Sequence, residues 1–231
     1  KVTLYKTVNG VKSKVEEKDV TKANGWKYEF KNLPNLEVLN QADQRFNRFG
    51  ERIRENATLV LQLAHVILPK ISDEQMITII DQTPQPARRF EELTKGLFTD
   101  YGHLPDEIRT VINLAQEYSR AHDYREVVVV YEPYQNMRQY QIYQEYPDVF
   151  KSVKQLYWTP VSLVRETAAD REVLSSEFLT QGVPQAIICQ LDDKLVKIIK
   201  QKLAENYLVL FISGGKGDEW LRSQLDKIKQ R

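Results

Sequence analysis

The sequence has a single cysteine, Cys189, so no disulfide can close within the chain. It has no apolar run near the roughly 20 residues that cross a bilayer. It has no excess of one charge: 33 Lys+Arg stand against 32 Asp+Glu. No global field therefore draws it to nucleic acid or to an acidic membrane. Histidine is scarce, with only His65, His103 and His122. There is no His-Glu-x-x-His, no Cys-x-x-Cys and no Gly-x-Ser-x-Gly, so the commonest zinc-protease, dithiol and serine-hydrolase signatures are missing. What remains is an ordinary globular balance, 42% hydrophobic and 28% charged over 231 residues. That length suits one large or two small domains. Lys1 in place of an initiator Met reads as a processed or truncated piece.

Residues 185–231 organise the reading. The apolar run 186–191 contains Cys189, as a small core residue would be placed, and leads into Asp192-Asp193. A helical pattern follows to Glu205, then a second apolar run from 207 to 212. Ser213-Gly214-Gly215-Lys216-Gly217 then opens a last helix. Strand, helix, strand, glycine loop and helix predict a parallel pair with a crossover. Upstream, 127–131 is a continuous apolar run, as in a strand covered on both faces. Residues 155–158 read as another strand, 135–152 and 168–181 as helices. The expectation is an α/β domain over 123–231 with a mainly parallel, doubly wound sheet.

Residues 35–122 read as a helical region. Leu36, Leu39, Phe46, Phe49, Ile53, Ala57, Val60, Ala64 and Ile67 recur mostly at three or four, one stripe of a long helix over 36–68. Such a length implies a break, with Gly50 the candidate, or a self-association surface that would make a homo-oligomer. Ser72-Asp73-Glu74-Gln75 is a capping box. Pro86 opens a helix carrying Phe90, Leu93 and Leu97, and Pro105-Asp106-Glu107 opens another.

Residues 1–34 read as an antiparallel β unit, with Asn9-Gly10 as a hairpin turn. Trp26, Tyr28 and Phe30 alternate with Lys27, Glu29 and Lys31. Val2-Thr3-Leu4-Tyr5, the Asn9-Gly10 turn and the segment from Asn24 to Pro34 resemble the middle strands of Cna protein B-type domains. Those are small β-sandwiches of Gram-positive cell-surface proteins, often used as stalks. The resemblance implies a partial sandwich over 2–34. That family's isopeptide bond needs a Lys on an earlier strand, and the chain begins too late to show one. No isopeptide residue is carried over.

In doubly wound sheets, ligands bind outside the carboxyl ends of the strands, where strand order reverses. That rule nominates Glu132, Arg165, the Asp192-Asp193 pair and the loop Ser213, Gly214, Gly215, Lys216 and Gly217. Glycines free backbone amides to face an anion, and Lys216 supplies a charge. The loop lacks P-loop and dinucleotide spacing, and Asp218 and Glu219 oppose a phosphate, so an ordinary strand-to-helix turn competes with this reading. Asp192-Asp193 suits a helix start as well as a metal. The tyrosines at 131, 134, 140, 143 and 146 have only Arg138 and Lys151 near them, which speaks against nucleic acid.

The preferred expectation is a module that recognises a small anionic or nucleotide-like ligand, or a partner, and is not an enzyme. It would be cytoplasmic, with no membrane contact. No cofactor is named by the sequence. The alternatives are a structural segment of a Gram-positive surface protein, exported to the cell surface, and a phosphoryl or glycosyl transferase, which fold analogy alone suggests.

Overall fold

The computed structural model describes residues 2–8, 11–18, 42–68, 70–166 and 172–229. The chain divides into two compact units, Lys1–Asn40 and Gln41–Arg231. In the first unit, β1 (Val2–Val8) and β2 (Val11–Lys18) form an antiparallel hairpin. Val2 lies opposite Lys18 and Val8 opposite Val11, with an irregularity between Leu4 and Tyr5. The Asn9-Gly10 turn and the tryptophan strand fall outside the described residues.

The second unit begins its regular structure with α1 (Glu51–Ile67) and α2 (Asp73–Gln82). A hairpin, β3 (Glu91–Thr94) and β4 (Leu97–Asp100), precedes α3 (Pro105–Ala121) and β5 (Val127–Glu132). Then come α4 (Asn136–Ile142), a tight turn at Tyr143–Glu145, α5 (Tyr146–Val149) and β6 (Gln155–Trp158). The chain continues through α6 (Ser176–Leu179), β7 (Ala186–Ile188), α7 (Asp193–Ala204) and β8 (Leu208–Ser213). It closes with α8 (Gly217–Ser223) and α9 (Leu225–Lys229).

One sheet collects six strands in the order β3-β4-β8-β5-β6-β7. Only β3 runs antiparallel to its neighbour; every other pairing is parallel. This is the α/β class, with a mainly parallel sheet, that the apolar runs imply. Because successive side chains on a strand point to opposite faces, each continuous run feeds two cores. Val129, Tyr131, Trp158 and Leu210 pack against α3, α4 and α5 on one face. Val128, Val130, Tyr157 and Phe211 pack against α7, α8 and α9 on the other. The helices that follow β5 and β8 therefore leave to opposite faces, which puts the topological switch between the ends of those two adjacent strands.

Local signals held where they were chemically explicit. Ser72 Oγ accepts from the Gln75 amide at 3.3 Å, and Gln75 Oε1 accepts from the Ser72 amide at 3.2 Å. Pro105 stands at the start of α3. The helix expected over 36–68 is found only from Glu51: residues 42–50 carry no helix, Gly50 has a φ of 86° in the left-handed region, and α1 starts at the next residue. The stripe along it is only partly buried. Phe46, Ala57, Leu61 and Ala64 pack with Met76, while Val60 and Ile67 stay exposed with Leu59 and Leu63.

Other expectations are corrected. The helix expected after Pro86 is the β3–β4 hairpin. Arg88 and Phe90 have positive φ, and Gly96, at φ 79°, makes the turn. Leu97 and Phe98 go into opposite faces of the sheet rather than onto one helix stripe. Residues 135–152 break into three short pieces instead of one helix. In 168–181 only Ser176–Leu179 is helical among the described residues. The run holding Cys189 is a three-residue edge strand that stops one residue short of it, with Ile187 and Ile188 exposed. Cys189 packs partly buried on the second core face, and burial pushes its thiol up to about 12. Among the described residues no helix is long and apolar enough to cross a membrane.

Candidate functional site

Glu132 ends β5 and Ser213 ends β8, and the two are paired neighbours in register. Glu132 is only 3% exposed. Ser213 Oγ donates to Glu132 Oε2 at 2.5 Å, and the Gly217 amide donates to the same oxygen at 3.0 Å. Ser213 Oγ in turn accepts the Gly215 and Asp218 amides, each at 3.2 Å. The Lys216 amide reaches Ser162 Oγ at 3.4 Å. The amides of the glycine loop thus face inward, onto side chains of neighbouring strand ends. Glycine is required here by proximity. A Cβ on Gly215 would lie 2.1 Å from Ser162 Oγ, and one on Gly214 would lie 2.7 Å from the Tyr134 ring.

The other nominated residues are dispersed. The Lys216 side chain is exposed at the start of α8. Arg165 is exposed at φ 63°, and its charge reaches Tyr134. Asp192 Oδ1 accepts the Lys194 and Leu195 amides at 2.9 and 3.1 Å, capping α7. Asp193 pairs with Lys227 at 2.9 Å. Both carboxylates of that pair lie beyond β7, at the far edge of the sheet.

The carboxyl end of β4, which sequence reasoning assigned to a helix, adds a second group. Asp100 is buried and accepts the Phe90 and Gly102 amides at 2.8 and 2.7 Å. Beyond it, the Tyr101, His103 and Tyr134 rings meet with centroids 5.1 to 6.2 Å apart. The Arg88 and Arg89 guanidinium carbons lie 4.6 and 5.4 Å from the Tyr101 centroid. Arg88 also donates to the Ser213 carbonyl at 2.7 Å. Had 97–100 been read as a strand, the carboxyl-end rule would have nominated Asp100, Tyr101 and His103 directly.

Next to Asp100, a hollow of about 490 Å³ opens between α1, the 85–90 segment and α3. Ile53, Pro86, Phe90, Val111 and Leu114 give it apolar walls. Asn56, Gln85, Asp100, Glu107, Arg52 and Arg89 supply polar and charged groups. An apolar slot with a few convergent polar groups is the ordinary form of a small-molecule site. Amides suit a heterocycle edge, carboxylates suit hydroxyls, and arginines suit phosphates.

Burial pushes the Glu132 carboxyl above the usual carboxylate range, against the pull of Ser213, the Gly217 and Gly215 amides and Arg88. Burial does the same to Asp100, against the Gly102 and Phe90 amides and Arg89. A folded-state value raised above the unfolded one, near 4, means that the fold favours the protonated acid. The stability each group contributes is complete below that pH and is lost as pH rises through the folded value. Glu132→Gln removes one such group. The melting temperature of Glu132→Gln minus that of the parent is therefore expected to increase from about pH 4 to pH 7. A pH-independent difference would show that Glu132 does not titrate in this way.

The fold is that of an α/β protein with a mainly parallel sheet and a hollow beside the carboxyl end of β4. No family model matches the chain. Curated relatives are ligases. The UDP-N-acetylmuramate–L-alanine ligase of Lactobacillus johnsonii is 28% identical over 173 residues, 72% of this chain and 36% of that protein. The enzyme of the same name from Xanthobacter autotrophicus is 24% identical over 196 residues, 75% of this chain and 40% of that one. The chain thus spans little more than a third of the length of these relatives. Among solved structures, UDP-N-acetylmuramate–alanine ligase from Thermotoga maritima superposes with a TM-score of 0.56 at 17% identity, over 77% of this chain and 38% of that one. A bifunctional folylpolyglutamate synthase/dihydrofolate synthase from Yersinia pestis, complexed with AMPPNP and a manganese ion, gives 0.53 at 16% identity, over 81% and 42%. These likenesses show a shared fold.

Two expectations are overturned by these findings. The resemblance to Cna protein B-type domains is not supported, since no such family model matches and the relatives are ligases. The strand alternation and hairpin turn that suggested it are common to many β units. The preference for a non-enzyme is also corrected: it rested on missing hydrolase and redox signatures, and the relatives belong to neither class.

Proposed function

We propose that the chain is part of an ATP-dependent ligase that joins a carboxylate to an amine, and that it contributes to the nucleotide site. The observation that carries this reading is the hollow beside Asp100, with its apolar walls, Asn56 and Gln85 amides, and Arg89. The likeness to ligases supports the class, and the Yersinia pestis synthase with AMPPNP supports a nucleotide as ligand. In this reading a purine lies between Ile53, Phe90 and Leu114, with Asn56 on its edge. Asp100 faces the ribose, and Arg89 and Arg52 face phosphate. Amide formation from a carboxylate and an amine must expel an oxygen, which leaves on the transferred phosphate. A cytoplasmic setting, where ATP is available, goes with this proposal.

The test is calorimetric titration of ADP into the 231-residue chain. Binding at one site is expected. Asn56→Ala and Arg89→Ala should each weaken it about tenfold, which corresponds to about 1.4 kcal/mol. No binding at millimolar ADP, or binding unaffected by both substitutions, would overturn the proposal.

A further inference from the structure

The glycine loop after β8 has the features usually read as a phosphate cradle: three glycines, a lysine and a following helix. The structure gives those amides a resident partner. We propose that the Glu132 carboxyl group is a built-in plug that fills the cradle of the 213–217 loop and keeps phosphate out of it. The residue thereby decides which side of the sheet's carboxyl edge can hold a phosphorylated ligand.

Three observations converge. The Gly217 amide and the Ser213 hydroxyl both donate to Glu132 Oε2, at 3.0 and 2.5 Å. The Gly215 and Asp218 amides are spent on Ser213 Oγ, and the Lys216 amide faces Ser162 Oγ. No room remains beside them: even a methyl group on Gly215 or Gly217 would come within 2.8 and 2.9 Å of the Glu132 carboxylate. A phosphate would have to displace the buried Glu132 carboxyl group and leave it without its donors, which burial makes costly. Arg88 is similarly engaged, on the Ser213 carbonyl and on Asp218. Arg89, in contrast, is exposed and lines the hollow beside Asp100. The exclusion of phosphate from the loop stands on these contacts alone. The assignment of phosphate to the Arg89 side rests on the nucleotide reading.

The test uses nitrogen-15 NMR of the full chain, titrated separately with inorganic phosphate and with ADP. In the parent protein the Gly215 and Gly217 amide signals are expected to stay fixed through tens of millimolar phosphate. In Glu132→Ala they should move, with millimolar affinity; in Glu132→Gln, which keeps the volume, they should stay fixed. Phosphate-dependent shifts at Gly215 and Gly217 in the parent overturn the proposal. So does a Glu132→Ala protein with a dispersed spectrum whose Gly215 and Gly217 amides remain blind to phosphate. If Glu132→Ala does not fold, Lys216→Ala decides on the ADP side: affinity within twofold of the parent is expected, and a tenfold loss overturns the exclusion. Failure of ADP to bind at all sinks the nucleotide reading, while the phosphate titration of the parent still tests Glu132.

Discussion

Gly215→Ala is expected to lower stability by about 3 kcal/mol, with a fall in melting temperature of roughly 6–12 °C for a chain of this size. The added methyl would sit 2.1 Å from Ser162 Oγ, 2.5 Å from Ser162 Cβ and 2.8 Å from Glu132 Oε2. Ser162 Cβ is fixed by the backbone, and Glu132 Oε2 is held by the Ser213 hydroxyl and the Gly217 amide in a buried setting. Ser162 is held by its backbone, which donates to the Pro133 carbonyl at 2.8 Å and accepts from Gln135 at 2.9 Å. The loop must therefore move, and in moving it loosens the amides on Ser213 and Glu132, which are buried groups that are costly to leave unpaired. Thermal denaturation followed by circular dichroism measures the loss. Ser162→Gly in the same chain removes both Ser162 atoms and should restore part of it. Lys216→Ala, one residue along and exposed, should change little. A Gly215→Ala protein as stable as the parent would mean that the loop is not packed in this way.

Asp218→Ala should cost about 2–3 kcal/mol. Asp218 is 3% exposed and gathers three partners. Thr99 Oγ1 donates to it at 2.7 Å, Arg222 Nε at 2.8 Å, and Arg88 Nε lies 3.5 Å away. Removing it leaves a buried hydroxyl and two guanidinium groups short of an acceptor. The expected loss falls below the usual range for a broken buried pair because the Arg222 side chain is 36% exposed and keeps Glu91, at 2.6 Å. Urea unfolding provides the measurement, and a loss under about 0.5 kcal/mol, the level of an ordinary surface change, would contradict it. Asp218→Asn retains one acceptor and should lose less. The network ties α8 to β3 and β4, so its loss should also loosen Arg88 under Tyr101 and weaken ADP binding.

What could be read from the sequence was whatever depended on near neighbours. The continuous apolar runs of β5 and β8 announced strands covered on both faces, and Ser72 with Gln75 announced a helix start. The β3–β4 hairpin was hidden because Phe90, Leu93 and Leu97 are spaced by three and four, which suits a helix as well as two four-residue strands. Only the pairing of β4 with β8, distant in sequence, decides between them. That misreading also concealed Asp100, Tyr101 and His103, since a carboxyl-end rule finds nothing where no strand is drawn. The 213–217 loop was located correctly at a strand end. Its glycines, readable as freedom offered to an anion or as an ordinary strand-to-helix turn, make space for Ser162, Tyr134 and Glu132, which approach from distant parts of the chain. No local pattern encodes such an approach.

Of the six described strands of the sheet, the one that joins its two halves is the last to leave the ribosome. β8 lies between β4 and β5, yet among the described strands it comes last in chain order. During synthesis its neighbours wait, each with one open flank, until residues 208–213 emerge. Interrupted translation or proteolysis before Leu208 would therefore yield a protein with a slot at its centre rather than a frayed end. Such fragments should be recognised by quality control and be prone to acquire the missing ribbon from another molecule.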